Sequence, residues 1–181
     1  MIGVGEKFPE FELNGVSGNR SAADYNDADH DFIVANSWDL QDWSVIYFYP
    51  KDFTFICPTE IVGMDILLSE TNEVYGISPD NEFCKWTWKC EQGDNTSLYG
   101  VRHSLLADCG NILAQELGIV SEENVPYRTT YIVDPEGYIQ HVSVNALDTG
   151  RNANEVLRTL QALKAGGLTG CEWQPGEDFV A

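Results

Sequence analysis

The most constraining stretch of the sequence is the junction "SVIYFYPKDFTFICPTEIVGMDILL", residues 44–68. Residues 44–49 form a short apolar run closed by Pro50, the pattern of a buried strand. Beyond the loop the period changes. Ile61, Met64, Leu67 and Leu68 recur at helical spacing, and Pro58 falls in the first turn, where a missing N–H does no harm. A lone thiol, Cys57, therefore stands where a strand-to-loop crossing becomes a helix. A structural cysteine would sit inside the apolar run. A dithiol exchange motif would carry its second cysteine at position 60, which is Glu60.

The rest of the chain repeats this alternation. "EVYGISPD" reads as a strand. "NEFCKWTWKCEQ" reads as a helix with Phe83, Trp86 and Cys90 on one face. "SLLAD" reads as a short strand and "GNILAQELGI" as a helix, while "RTTYIVDPEGYIQHVSV" gives two strands around an Asp-Pro-Glu-Gly turn. "NANEVLRTLQALKAG" is an amphipathic helix stopped by Gly166 and Gly167. The segment "NGVSGNRSAADYNDADHD" is polar and turn-rich. The fold class is therefore α/β, a mixed central sheet flanked by helices over residues 1–166, with a C-terminal tail at 167–181 that carries Cys171.

Charge excludes several functions. Ten Lys+Arg face 29 Asp+Glu in 181 residues, a formal charge of −19 that repels nucleic acid and anionic membrane surfaces. Solubility or a salty medium accounts for it, and it makes each cation informative, among them Lys51, Arg128 and Arg151. The start "MIGVGEKFPEFEL" has no basic, signal-like region, and "VIYFY" is far too short to span a bilayer, so the expectation is a soluble cytoplasmic protein. Five widely spaced cysteines do not make a secreted disulfide framework. Cys84, Cys90 and Cys109 lack zinc-site spacing and read as small core or half-buried residues, with Cys84 the candidate for an auxiliary thiol.

A cysteine is nucleophilic as the thiolate, which a helix N-terminus and a nearby cation both favour. Cys57 has the first by position, and Arg128, opening "RTTYIVD", is the candidate for the second. Pro50, Thr54 and Cys57 fit Pro-x-x-x-Thr-x-x-Cys, and "FYPKDFTFICPTE" resembles the active-site loop of the peroxiredoxins, in their alkyl hydroperoxide reductase C-type, typical two-cysteine branch. "RTTYIVDPEGYIQ", "DTGRNANEVLRTLQAL" and "CEWQPGED" extend the resemblance over nearly the whole chain.

The resemblance implies a thioredoxin-like fold and a thiol peroxidase acting on hydrogen peroxide or organic hydroperoxides. Cys57 matches the attacking thiol. Thr54 would hydrogen-bond thiolate and peroxide, Arg128 would stabilise both, and Pro50 would shield the site, while Glu60 would orient the arginine and Trp88 would wall the pocket. Cys171 of a partner subunit would resolve the Cys57 sulfenic acid as a disulfide, in a homodimer assembled into a ring of dimers, a decamer among the forms expected. A thioredoxin, a flavoprotein or a small dithiol protein would recycle it. No cofactor or metal is implied, because sulfur carries the redox change.

The chain departs from the pattern in four places. Thr169 stands where the commoner resolving cysteine falls, so Cys171 matches the second position of a Cys-x-Cys tail. Lys85 replaces the family's usual histidine. A Gly-Gly-Leu-Gly insertion and a long tail helix are missing, which predicts resistance to overoxidation. A Cys-His hydrolase is disfavoured, since His30, His103 and His141 fall outside the site-like segments. A peroxide sensor or holdase on the same scaffold is the alternative.

Overall fold

A computed structural model describes residues 1–18, 31–93 and 96–181. Seven strands form one mixed sheet in the order β2-β1-β5-β4-β3-β6-β7. At its centre β3 (Ser44–Phe48) runs parallel to β4 (Glu73–Ser78), and β4 runs parallel to β5 (Ser104–Ala107). β6 (Arg128–Val133) pairs antiparallel with β3, and β7 (Ile139–Asn145) closes that side as the edge.

Every residue of β3 and β6 is buried, as expected of strands covered on both faces. Their side chains alternate between two cores. Val45, Tyr47 and Tyr49 join Ile61 and Met64 of α1 (Cys57–Met64), Trp88 of α2 (Glu82–Cys90) and Leu160 of α4 (Ala153–Ala165). Ile46, Phe48 and Tyr131 face Phe8, Phe11 and Leu113 of α3 (Ile112–Leu117). Asn152 caps α4, accepting from the amides of Asn154 and Glu155, and Gly166 ends it at φ 71°.

Three expectations need correction. The polar start is not all turn: β1 (Glu12–Val16) pairs antiparallel with β5 and with β2 (Phe32–Asn36). Its Gly15 hides the strand signal but is required, because a Cβ there would stand 2.5 Å from the Leu105 carbonyl oxygen. Residues 19–30 of that stretch, with His30, lie outside the described residues. The helix after Cys57 ends at Met64 and tightens into a 3₁₀ turn, Asp65–Ser69, where Asp65 accepts hydrogen bonds from the amides of Arg102 and His103.

The third correction concerns the face of α2. The helix buries Lys85, Trp88 and Lys89, while Phe83 is 62% exposed. Apolar spacing named the wrong side because the lysines find buried acceptors; Lys89 donates to the Ser17 and His103 carbonyls. In the tail, Trp173 is buried, stacked beside Phe179, with its carbonyl accepting from Arg158 of α4. Among the described residues no helix is long and apolar enough to cross a membrane.

Candidate active site

The apolar run of β3 carries the chain to Pro50, and the 51–56 loop delivers Cys57 to the first turn of α1, the positive end of the helix. Cys57 is 1% exposed, at a cleft of about 440 Å³ lined also by Pro50, Thr54, Glu123, Arg128 and Leu147. Arg128, placed by the first position of β6, donates through Nη1 to the Cys57 Sγ at 3.4 Å. The same nitrogen pairs with Glu60 Oε2 at 2.5 Å, and Nε donates to the Leu147 carbonyl at 2.8 Å. The guanidinium is therefore held from three directions before any substrate arrives.

Glu60, one helical turn on from Cys57, is itself buried between two arginines. Arg151 donates its amide to Glu60 Oε1 at 3.0 Å and brings Nη1 within 3.6 Å of Oε2. Its Nη2 donates to the Phe48 carbonyl at 2.6 Å, and its guanidinium carbon lies 5.0 Å from the centre of the Tyr47 ring. Two guanidinium charges against one carboxylate leave one positive charge beside the thiol. Burial works against the Arg128 charge, but the Cys57 hydrogen bond and the Glu60 carboxylate more than offset it and raise the Arg128 pKa. Burial lowers the Arg151 pKa against the opposing pull of Glu60 and Tyr47.

Behind Arg151 runs a buried chain of polar groups. The Tyr47 hydroxyl lies 2.6 Å from His103 Nε2, and His103 Nδ1 lies 2.6 Å from Asp65 Oδ1. A carboxylate on Nδ1 makes that nitrogen the donor, so Nε2 accepts from the tyrosine. Burial holds the His103 pKa below the ordinary value of 6.5, opposed by Asp65, while Lys89 and Arg102 lower it further.

Cys57, Pro50, Thr54, Arg128 and Glu60, named from the sequence, thus share one small region. The Thr54 hydroxyl donates to the Lys51 carbonyl at 2.9 Å, beside the cleft. Trp88 is fully buried and stacks on Phe53 of the loop at 5.2 Å, with its Nε1 donating to the Thr96 carbonyl. Cys171 is exposed on the tail, Cys109 is exposed, and Cys84 and Cys90 are half-buried. Among the described residues no three His, Cys, Asp or Glu side chains gather as a metal site. The sequence singled out Arg151 as a rare cation and, within "DTGRNANEVLRTLQAL", as part of the resemblance, but not as a partner of Glu60. Its place directly before the Asn152 cap puts its amide on Glu60.

Comparison with known proteins agrees with this geometry. Residues 4–142 match the model of the AhpC/TSA family. The chain is 37% identical to an alkyl hydroperoxide reductase C of Mycolicibacterium smegmatis, covering 99% of this chain and 94% of the relative. It is 34% identical to a chloroplastic 2-cysteine peroxiredoxin of Chattonella marina var. antiqua, over 97% and 90%. The crystal structure of reduced Plasmodium vivax 2-Cys peroxiredoxin superposes with a TM-score of 0.85 at 28% identity, covering 98% and 92%. Mycobacterium tuberculosis AhpC superposes with a TM-score of 0.81 at 33% identity, covering 96% and 99%. A thiol at a helix start, an arginine on its sulfur and a mixed seven-stranded sheet behind them, matched along nearly the full length of these relatives, place the chain in the AhpC/TSA family, among the peroxiredoxins with their thioredoxin-like fold.

Proposed function

We propose that the protein is a thiol-dependent peroxidase in which Cys57 reduces hydrogen peroxide and organic hydroperoxides. The observation that carries this reading is the Arg128 Nη1 to Cys57 Sγ contact, backed by a buried cluster with one uncompensated positive charge. The Cys57 thiolate attacks one peroxide oxygen. An S–O bond forms as the O–O bond breaks, sulfur loses two electrons, and the departing oxygen takes a proton and leaves as water or an alcohol. Negative charge moves from sulfur onto the departing oxygen, and guanidinium groups fixed in advance stabilise it along that path. Thr54 and Pro50 line the place where the peroxide would lie.

The resulting sulfenic acid needs a second thiol. Cys171 is exposed on the tail and suits that role in a partner subunit. Its thiolate would attack the Cys57 sulfur, forming the disulfide and releasing water, and an external dithiol would then return both cysteines to thiols. A disulfide between subunits requires a homodimer, and β7, the edge strand of the sheet, offers a place for a second copy to pair beyond Ile139, whose outer side already bonds to Gly5 and Glu6. Peroxide consumption with a recycling dithiol tests the reading. Wild type should turn over and Cys57→Ser should not; undiminished turnover by Cys57→Ser would overturn it.

A further inference from the structure

The peroxide chemistry makes no direct use of Lys85, although its side chain is wholly buried at the centre of α2 and paired with Asp52. Its acceptors lie on the segment that leads to Cys57 and on the end of β4. Nζ stands 3.3 Å from both carboxylate oxygens of Asp52, 3.4 Å from the Tyr49 hydroxyl and 2.5 Å from the Ser78 hydroxyl. Asp52 also accepts from Tyr49 at 2.8 Å and from Ser78 at 2.9 Å, while its amide donates to Asp80 at 2.8 Å. Three positions on, Trp88 stacks on Phe53, a bulky residue held at φ 54°, a conformation that persists only when its surroundings enforce it. Two consecutive loop residues are thus gripped by two side chains spaced to share one face of α2.

We propose that Lys85 is a positioning residue for the peroxide reaction, acting through Asp52 to hold the 50–56 loop shut and Cys57 in its buried, Arg128-bonded place. The inference rests on the roles given above to Cys57 and Cys171. For Cys57 to meet Cys171 on another subunit, the first turn of α1 and the loop before it must open. Lys85 is anchored on α2 and Asp52 rides on the loop, so opening strands a buried ammonium without its carboxylate. Separating the members of a buried pair is far costlier than replacing both. Lys85 therefore favours the closed, peroxide-reactive loop over the open, disulfide-forming one, and it does so without touching sulfur or substrate.

The test follows two rates in one protein. Cys57 oxidation by hydrogen peroxide is read by rapid quench and mass spectrometry, and the disulfide between subunits is followed afterwards, in wild type, Lys85→Met, Asp52→Asn and the double variant. In each single variant oxidation should slow about tenfold or more while disulfide formation accelerates. The peroxide concentration that half-converts Cys57 to sulfinic acid should rise accordingly. The double variant, which leaves no stranded charge but also no latch, should recover much of the lost oxidation rate while still forming the disulfide faster than wild type, and that disulfide rate carries the comparison if a single variant does not fold. Oxidation rates within about twofold of wild type in the single variants, both steps slowing together, or a double variant whose disulfide forms no faster than in wild type, would overturn the role of Lys85. Absence of oxidised Cys57 in wild type would instead overturn the underlying peroxidase reading, and the inference with it.

Discussion

At the scale of single residues, the site concentrates positive charge on one sulfur by means that each require burial. Arg128 is fixed by Glu60 and the Leu147 carbonyl, so its Nη1 faces Sγ without rearrangement during the reaction. Arg128→Met should therefore lower the second-order rate of Cys57 oxidation by about 10²–10³-fold, the usual loss when one preorganised donor is removed. Stopped-flow fluorescence after mixing with peroxide measures it, and a change smaller than threefold, allowing about a factor of two for error, would remove Arg128 from the reaction. Cys57, Thr54, Pro50, Glu60 and Arg128 could be named from the sequence because the loop motif gathers most of them within a few positions. Lys85 stood out only as a departure from the family pattern, and Tyr47 only as part of an apolar strand. Their importance comes from Asp52, Ser78 and His103, which only the folded sheet brings to them.

At the scale of elements, α1 and its approach loop are the parts that must both hold and release. The helix has only eight residues and continues as a 3₁₀ turn, so its first turn rests on the loop and on Glu60 rather than on a long run of its own hydrogen bonds. Opening should therefore compete well with further oxidation. Under high peroxide with a recycling dithiol, mass spectrometry should find Cys57 chiefly as disulfide, and ready accumulation of sulfinic acid would contradict this. The strands around this helix were legible because β3, β4 and β6 are short runs rich in β-branched and aromatic residues, with β3 and β6 buried throughout. β1 and β2 were not, since β1 is interrupted by a glycine that packing demands and β2 is a short edge strand after a polar run. The α2 helix was legible as a helix but not in its orientation, because its buried face carries two lysines.

At the scale of the whole molecule, a buried and a half-buried histidine tie stability to pH. His103 and His141 both have their pKa lowered by burial below the ordinary 6.5, against the opposing effects of Asp65 and Glu155 respectively. Below about pH 6.5 the unfolded chain takes up protons that the folded one refuses, so stability falls as pH drops through that window and is fully present above it. Urea midpoints should decline on acidification from about pH 7 to about pH 5, and His103→Gln should flatten part of that slope; an unchanged slope would contradict the assignment. The −19 charge spreads over the same molecule, and salt should be held constant in that comparison. The central claim, that Cys57 and Cys171 of two subunits act as one redox pair, is tested most directly by a non-reducing gel after one equivalent of hydrogen peroxide. Wild type, Cys57→Ser and Cys171→Ser are run side by side. The account predicts a reducible dimer in high yield from wild type alone, with peptide mapping placing the bond between Cys57 and Cys171. A disulfide that still forms in Cys171→Ser, through Cys84, Cys90 or Cys109, would contradict it.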